Sequence, residues 1–321
     1  MPWDRRPVGF LLAALLVCTA APPLRGQEPF KIPEPEAIVL PTADGVELHA
    51  TFFPGTMGEK SIPVIMLHSS KGDRREFEEL ARFLQAPPAN APGATPETPV
   101  GLGCAVIVPD LRGFGESTRA GGGAVTLSPS SMRPADYAMM YKADVETVKS
   151  ELIKLNNARK LNIEKLCVVG TEMGAVVALN WAAVDWSWPV LSRGKQGQDV
   201  KALVLISPGW GFKGVRIVEA LAHPNVRADL SVLIVVGKGN SKAFAEAKRL
   251  KGAFDKYHPE PPQEEMLQKK DLYFDTPNTS LQGAKLLAEK SFEVQQHIAT
   301  FIELRVGKKP FPWAERVNPL E

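Results

Sequence analysis

Apolar residues follow two patterns along this chain. In "AIVLPTADGVELHATFFPG" (37–55) apolar positions alternate on both sides of Asp44-Gly45, the spacing of a hairpin. Farther on, "IPVIMLHSS" (62–70), "CAVIVP" (104–109), "KLCVVG" (165–170), "VKALVLIS" (200–207) and "SVLIVVG" (231–237) are continuous apolar runs, and "DLYFDT" (271–276) is a shorter one. Such runs predict strands buried on both faces. Segments of helical spacing lie between them. "DRREFEELARFLQ" (73–85) has Asp73 placed to cap it, and "PADYAMMYKADVETVKSELIKLN" (134–156) is long and amphipathic. "EMGAVVALNWAAVDW" (172–186) predicts another helix, and a last one is expected over 281–304. A hairpin followed by alternating strands and helices predicts a mostly parallel sheet with helices on both faces. Proline, alanine and glycine make "APPANAPGATPETPVGLG" (86–103) a surface loop. No internal repeat is visible.

The ends of the chain differ from this body. Arg5 and Arg6 precede an apolar run over 8–17, and the small residues Thr19, Ala20 and Ala21 follow. That order is a secretory signal peptide, assigned to residues 1–26. The run is too short to span a bilayer comfortably, so no transmembrane helix is expected in the mature chain. Export would make the protein secreted or periplasmic. Val17 before Cys18 argues against a lipoprotein, because such sites usually need a smaller residue. Residues 27–35 read as a linker, 36–305 as the folded domain and 306–321 as a poorly structured tail.

Composition adds little. Charged residues make up 23%, hydrophobic residues 44%, and the formal net charge is +2. With no long basic stripe, nothing points to nucleic acid. No cofactor or metal is expected. After signal cleavage two cysteines, Cys104 and Cys167, would remain. In an oxidising compartment such a pair invites a disulfide.

In parallel sheets of this kind ligands bind at the carboxyl ends of the strands. Those ends carry "HSSKGD", "DLRGFGES", "GTEMG", "SPGWGF", "GKGNSKA" and "TPNTSLQG". "VVGTEMGAVVALNWA" has the strand–turn–helix layout of a nucleophile elbow, whose pattern is Gly-x-Ser-x-Gly. "VIVPDLRGFGES" and "PVIMLHSS" are similar to the segments that precede the elbow in the α/β-hydrolase superfamily. The resemblance covers residues 37–304, and esterases and dienelactone hydrolases are the members most like it. It implies an α/β-hydrolase fold. The segment between "VLIS" and "SVLIV", where relatives often carry a large lid, is about one helix long, so the lid is minimal.

Carried over position by position, the resemblance implies that the catalytic triad is absent. Glu172 stands in the nucleophile position, Asn240 in the acid position and Gln282 in the histidine position. Serine hydrolysis needs a hydroxyl, a base to take its proton and a carboxylate to orient that base. Gln282 has no titratable nitrogen, Asn240 has no charge, and Glu172 is already ionised at neutral pH. The expectation is therefore a catalytically inactive protein that binds a small molecule or a protein partner, its identity unknown. The candidate ligand-binding residues are Glu172, Met173, Ser69, Ser70 and Trp210. The amides of Met173 and of the Ser69-Ser70 turn would form the remnant of an oxyanion pocket. An alternative stays open. Haloalkane dehalogenases and epoxide hydrolases use aspartate as the nucleophile at this position, so Glu172 could serve an unusual active site. A structural, envelope-associated role is a further alternative.

Other residues read more plainly. Of the five histidines, His68 and His223 are placed nearest the strand ends, and both read as structural. The superfamily's sheet order puts the strands of Cys104 and Cys167 on either side of the "VIMLH" strand. Two strand spacings are about 9.6 Å, beyond disulfide reach. Trp181, Trp186 and Trp188 read as packing residues. Asp110 and Arg112 are expected to pair with each other beneath the loops.

Overall fold

A computed structural model describes residues 30–320. The signal-peptide assignment, and the start of the linker, fall outside the described residues.

The strands are β1 (Glu36–Pro41), β2 (Glu47–Phe53), β3 (Pro63–Leu67), β4 (Ala105–Pro109), β5 (Leu166–Thr171), β6 (Val200–Ile206), β7 (Ser231–Val235) and β8 (Leu272–Asp275). They form one sheet in the order β1-β2-β4-β3-β5-β6-β7-β8. β1 and β2 form the expected hairpin, β2 pairs antiparallel with β4, and the rest is parallel. Every residue of β3, β4 and β5 is buried. Their continuous apolar runs follow from helices covering both faces of the sheet.

The helices are α1 (Glu78–Gln85), α2 (Pro134–Met139), α3 (Val145–Asn157), α4 (Met173–Ser187), α5 (Val218–Ala222), α6 (Pro224–Ala228), α7 (Ser241–Asp255), α8 (Met266–Lys269), α9 (Gly283–Ala288) and α10 (Val294–Ile302). Asp73 caps the 3-10 turn Arg74–Phe77 that leads into α1, its side chain accepting from the Arg75 amide. α2 and α3 join through a π turn at Met140–Asp144, one continuous rod as the pattern predicts. Helix α4 is apolar nearly all round because it lies against the sheet on one side and other helices on the other. Among the described residues no helix is long and apolar enough to cross a membrane.

Three local expectations need correction. The single helix over 281–304 is broken into α9, a 3-10 turn at Lys290–Phe292, and α10. Glu289 accepts from the Ser291 amide and hydroxyl, and Glu293 takes a left-handed φ of 52°. These local side-chain bonds compete with the helix. The tail lacks helix and strand beyond its first residues, yet it is docked rather than loose. The Trp313 indole donates to Asn156 O at 3.1 Å, and Arg316 is buried against Asp199 at 3.0 Å and against Glu164. Asp110 and Arg112 do not pair. Arg112 bonds Asp144 at 2.8 and 2.6 Å and Asp44 at 2.7 Å, tying the first hairpin turn to the π turn. Asp110 accepts from the Arg74 amide and guanidinium and from the Glu116 amide.

Cys104 and Cys167 are free and buried, with β3 between their strands. Burial pushes both thiols well above their ordinary range, with a smaller contribution from Cys104 at Cys167. The segment from β6 to β7 holds a two-residue-arm hairpin (Gly211–Phe212 with Val215–Arg216) and the one-turn helices α5 and α6, so the cover over the strand ends is small.

Candidate functional site

The elbow is built by close packing between β3, β5 and α4. A Cβ added at Gly174 would lie 1.9 Å from Leu67 O, and one at Gly170 would lie 2.5 Å from the Gly174 carbonyl carbon. Only glycine permits this approach at either position. Between them Glu172 is forced to φ 46°, ψ −103°, a conformation that costs a non-glycine residue roughly 1–3 kcal/mol. Its amide donates to Ile206 O at 2.9 Å, which fixes the turn to β6. The strained turn lifts the Glu172 side chain out over the strand ends, where it accepts no hydrogen bond among the described residues. Its carboxyl carbon reaches the start of α9, 3.3 Å from where a Gly283 Cβ would be.

The structure brings the three inferred triad positions together. Glu172, Asn240 and Gln282 all line both lobes of one cleft. The larger lobe, about 620 Å3, runs between the Ser69–Asp73 turn and residues 280–285 and adds Glu76, Lys71 and Lys285. The smaller, about 330 Å3, has a floor of Met173, Val176, Pro208 and Phe212, with Ser70, Lys242 and Glu246.

Two of the three inferred triad positions are committed to hydrogen bonds within the protein. The Gln282 amide donates to Gly237 O at 2.8 Å, and its oxygen accepts from the Ser207 hydroxyl at 2.7 Å. The Ser207 hydroxyl also accepts from the Gly283 amide at 2.9 Å. Gln282 is thus saturated by its own scaffold. Asn240 caps α7, its oxygen accepting from the Ala243 amide at 3.1 Å, a role in which Asn is as good as Asp. Its NH2 group has no partner among the described residues.

The oxyanion turn is half committed. The Ser69 amide and hydroxyl both donate to one Glu76 oxygen, at 3.1 and 2.9 Å, and the Thr171 hydroxyl donates to the other. Ser69 is therefore spent on holding the turn, although it lines the larger lobe. The amides of Ser70 and Met173 donate to no protein acceptor among the described residues. Both residues line the smaller lobe beside Glu172, where the resemblance places an oxyanion pocket.

None of the five histidines lines the cleft. His68 is fully buried; its Nδ1 contacts Ser69 O at 2.7 Å and its Nε2 accepts from the Leu111 amide at 3.0 Å. Burial lowers its pKa, against a smaller raising effect of the Ser69 carbonyl. The neutral ring with hydrogen on Nδ1 fits both bonds. His49 faces Glu116 at 3.4 Å, His258 faces Asp271 at 2.9 Å, and His297 pairs with Asp275 at 2.8 Å on β8. His223 joins α5 to α6.

Trp210 does not line either lobe. The Arg249 guanidinium covers its ring at 3.7 Å, and its amide donates to Glu246 at 3.2 Å. The aromatic wall is instead Phe212, two residues farther on. Trp181 and Trp188 donate to Glu146 at 3.0 and 3.3 Å and Trp186 to Val200 O at 3.0 Å. All three belong to the opposite end of the sheet.

The family model for the alpha/beta hydrolase fold matches residues 62–226, more than half the chain. The protein belongs to the α/β-hydrolase fold family. A search of the curated proteins found no match. Among solved structures, a dienelactone hydrolase from Anabaena variabilis is 15% identical, with a TM-score of 0.54 over 86% of this chain and 100% of that one. An esterase from Pyrococcus furiosus is 14% identical, with a TM-score of 0.56 over 85% of this chain and 91% of that one. Carboxyl esterase 2 from Tuber melanosporum is 12% identical, with a TM-score of 0.54 over 85% and 86%. At these identities the likeness is one of fold, and the chemistry of this α/β-hydrolase-fold protein has to be argued from its own cleft.

Glu76, Ser207 and Phe212 belong to this site and were not singled out from the sequence. Glu76 and Phe212 sit inside ordinary amphipathic or loop patterns. Ser207 carries a signal only in hindsight, as the first residue after a buried strand.

Proposed function

We propose that this protein is an exported, catalytically inactive α/β-hydrolase-fold protein that binds a small molecule in the Glu172 cleft. One observation carries the reading. The histidine position holds Gln282, saturated by Ser207 and Gly237, and no other histidine reaches the cleft. A serine-type, or an ester-forming carboxylate, mechanism needs a base near neutral pKa at that place. An open cleft of about 620 Å3 with uncommitted polar groups favours binding over a purely structural role. Export rests on the arginine pair, apolar run and small residues of the first 26 positions. It places the protein outside the cytoplasm or in a periplasm.

A second reading, hydrolysis through Glu172, is supported by the retained elbow geometry and by the absence of a protein partner for its carboxylate. Turnover of short-chain aryl esters by the mature protein and by Glu172→Gln separates the two. Equal, background rates in both are expected. Turnover abolished by Glu172→Gln makes Glu172 catalytic. Turnover that survives the substitution places an active site elsewhere.

A further inference from the structure

Uncommitted groups around the cleft are of two kinds, and their placement describes a ligand. The inner kind is short and directional. Glu172 offers a carboxylate with no protein partner, and beside it stand the free NH2 group of Asn240 and the free amide of Ser70. These suit hydroxyl groups, which both donate and accept. The outer kind is cationic. Lys71 and Lys285 flank the larger lobe and Lys242 the smaller; all three are exposed and form no ion pair among the described residues, whereas the lining carboxylates Asp73 and Glu76 are engaged by Arg75 and by Ser69. Several basic residues elsewhere are paired. Arg74, Arg112, Lys149 and Arg316 each meet one or more carboxylates. Unpaired lysines at the mouth of a cleft attract anions before contact and hold them loosely afterwards.

We infer that the cleft selects a small hydroxylated acid, a monosaccharide-sized polyol bearing one carboxylate. Its hydroxyls would meet Glu172 and Asn240, and its carboxylate would lie between Lys71 and Lys285. The inference rests on the binding reading above and adds the class of ligand. A neutral sugar would satisfy the inner groups only. A plain fatty or aromatic acid would satisfy the outer groups and leave Glu172 and Asn240 facing an apolar surface, which is unfavourable. The larger lobe has room for a single sugar ring and its first waters.

Calorimetric titration of the mature protein with D-glucuronate and with D-glucose tests this. Glucuronate should bind roughly tenfold more tightly than glucose, a gap that two lysine contacts can supply. That gap should shrink in 0.5 M salt as screening length falls to a few ångströms (about 4 Å). In the double variant Lys71→Met, Lys285→Met the two sugars should bind equally; both changes are on exposed side chains, so the fold should be kept, and a matching thermal transition checks it. Glu172→Gln should weaken both sugars. Equal binding of the two sugars to the unaltered protein, or binding of neither, overturns the inference. The binding reading has its own arm. Chemical-shift changes at cleft residues with any member of a neutral fragment library keep that reading when both sugars fail, and no change with any fragment removes it too.

Discussion

The two ends of the central strands have been treated in opposite ways. At the amino ends, Lys149 on α3 is fully buried and meets Asp185 and Asp199, the latter at 3.3 Å. Its Nζ also donates to Gln196 O at 3.1 Å. Asp185 accepts the Asp199 and Val200 amides at 2.7 and 3.0 Å, and Arg316 from the tail closes the cluster at 3.0 Å from Asp199. The charged groups there face opposite charges within the protein, although Asp199 Oδ2 and Glu146 Oε2 accept no hydrogen bond among the described residues. At the carboxyl ends, Glu172 is strained and, among the described residues, unpaired, and Ser70, Met173 and Asn240 keep donors without a protein acceptor there. Groups satisfied internally stabilise the fold, and groups left unsatisfied at a cleft are available to something else. The cleft at this end is not a filled core.

Breaking the amino-end cluster should have the largest effect. Lys149→Met leaves Asp185 and Asp199 buried with less compensation and should cost about 3–5 kcal/mol in urea denaturation. A loss under about 1 kcal/mol would mean that water already reaches the cluster. Arg316→Ala should cost less, about 2 kcal/mol, because Lys149 and Lys195 still face Asp199. A null result there would mean that the tail does not hold its docked position in solution.

At the other end the sign reverses. Glu172→Gly should stabilise the protein by about 1 kcal/mol, as relief of the positive φ outweighs the entropy of glycine. A destabilisation would show that the carboxylate makes a contact worth more than the strain. His68 provides a smaller, pH-dependent effect between the two regions. Its folded pKa is lowered by burial from 6.5, so the unfolded chain binds more protons below that value. Stability should be full above pH 6.5 and fall as the pH drops below it. His68→Gln should flatten the fall between pH 6.5 and 5.5, as read from denaturation midpoints. An unchanged slope would assign the acid sensitivity to other groups.

Much of this division could be read from the chain itself. Buried strands announce themselves as continuous apolar runs, and Gly170 and Gly174 around Glu172 mark a turn that only close packing explains. Asn240 and Gln282 could be placed because the spacing of whole loops carries over even where the residues change. What could not be read depends on contacts far apart in sequence. Arg316 and Trp313 anchor the tail as isolated residues with no periodicity around them. Glu76 lies at an unremarkable position before α1, and only the fold shows that it holds Ser69. The break at Glu293 follows from the Glu289–Ser291 bonds, a local competition that amphipathic spacing hides. Trp210 and Phe212 are two residues apart on one small hairpin, and which of them faces the cleft depends on Arg249, nearly forty positions away.

The claim that the cleft performs no covalent chemistry is tested most directly by intact mass. The mature protein would be incubated with an excess of short aryl esters, haloalkanes and epoxides, and the modified residue located by peptide mapping. Without a histidine to activate water, any ester formed on Glu172 should persist and be seen. An unchanged mass at Glu172 is the predicted result. An added acyl or alkyl group on Glu172, absent from the unfolded chain, would contradict it.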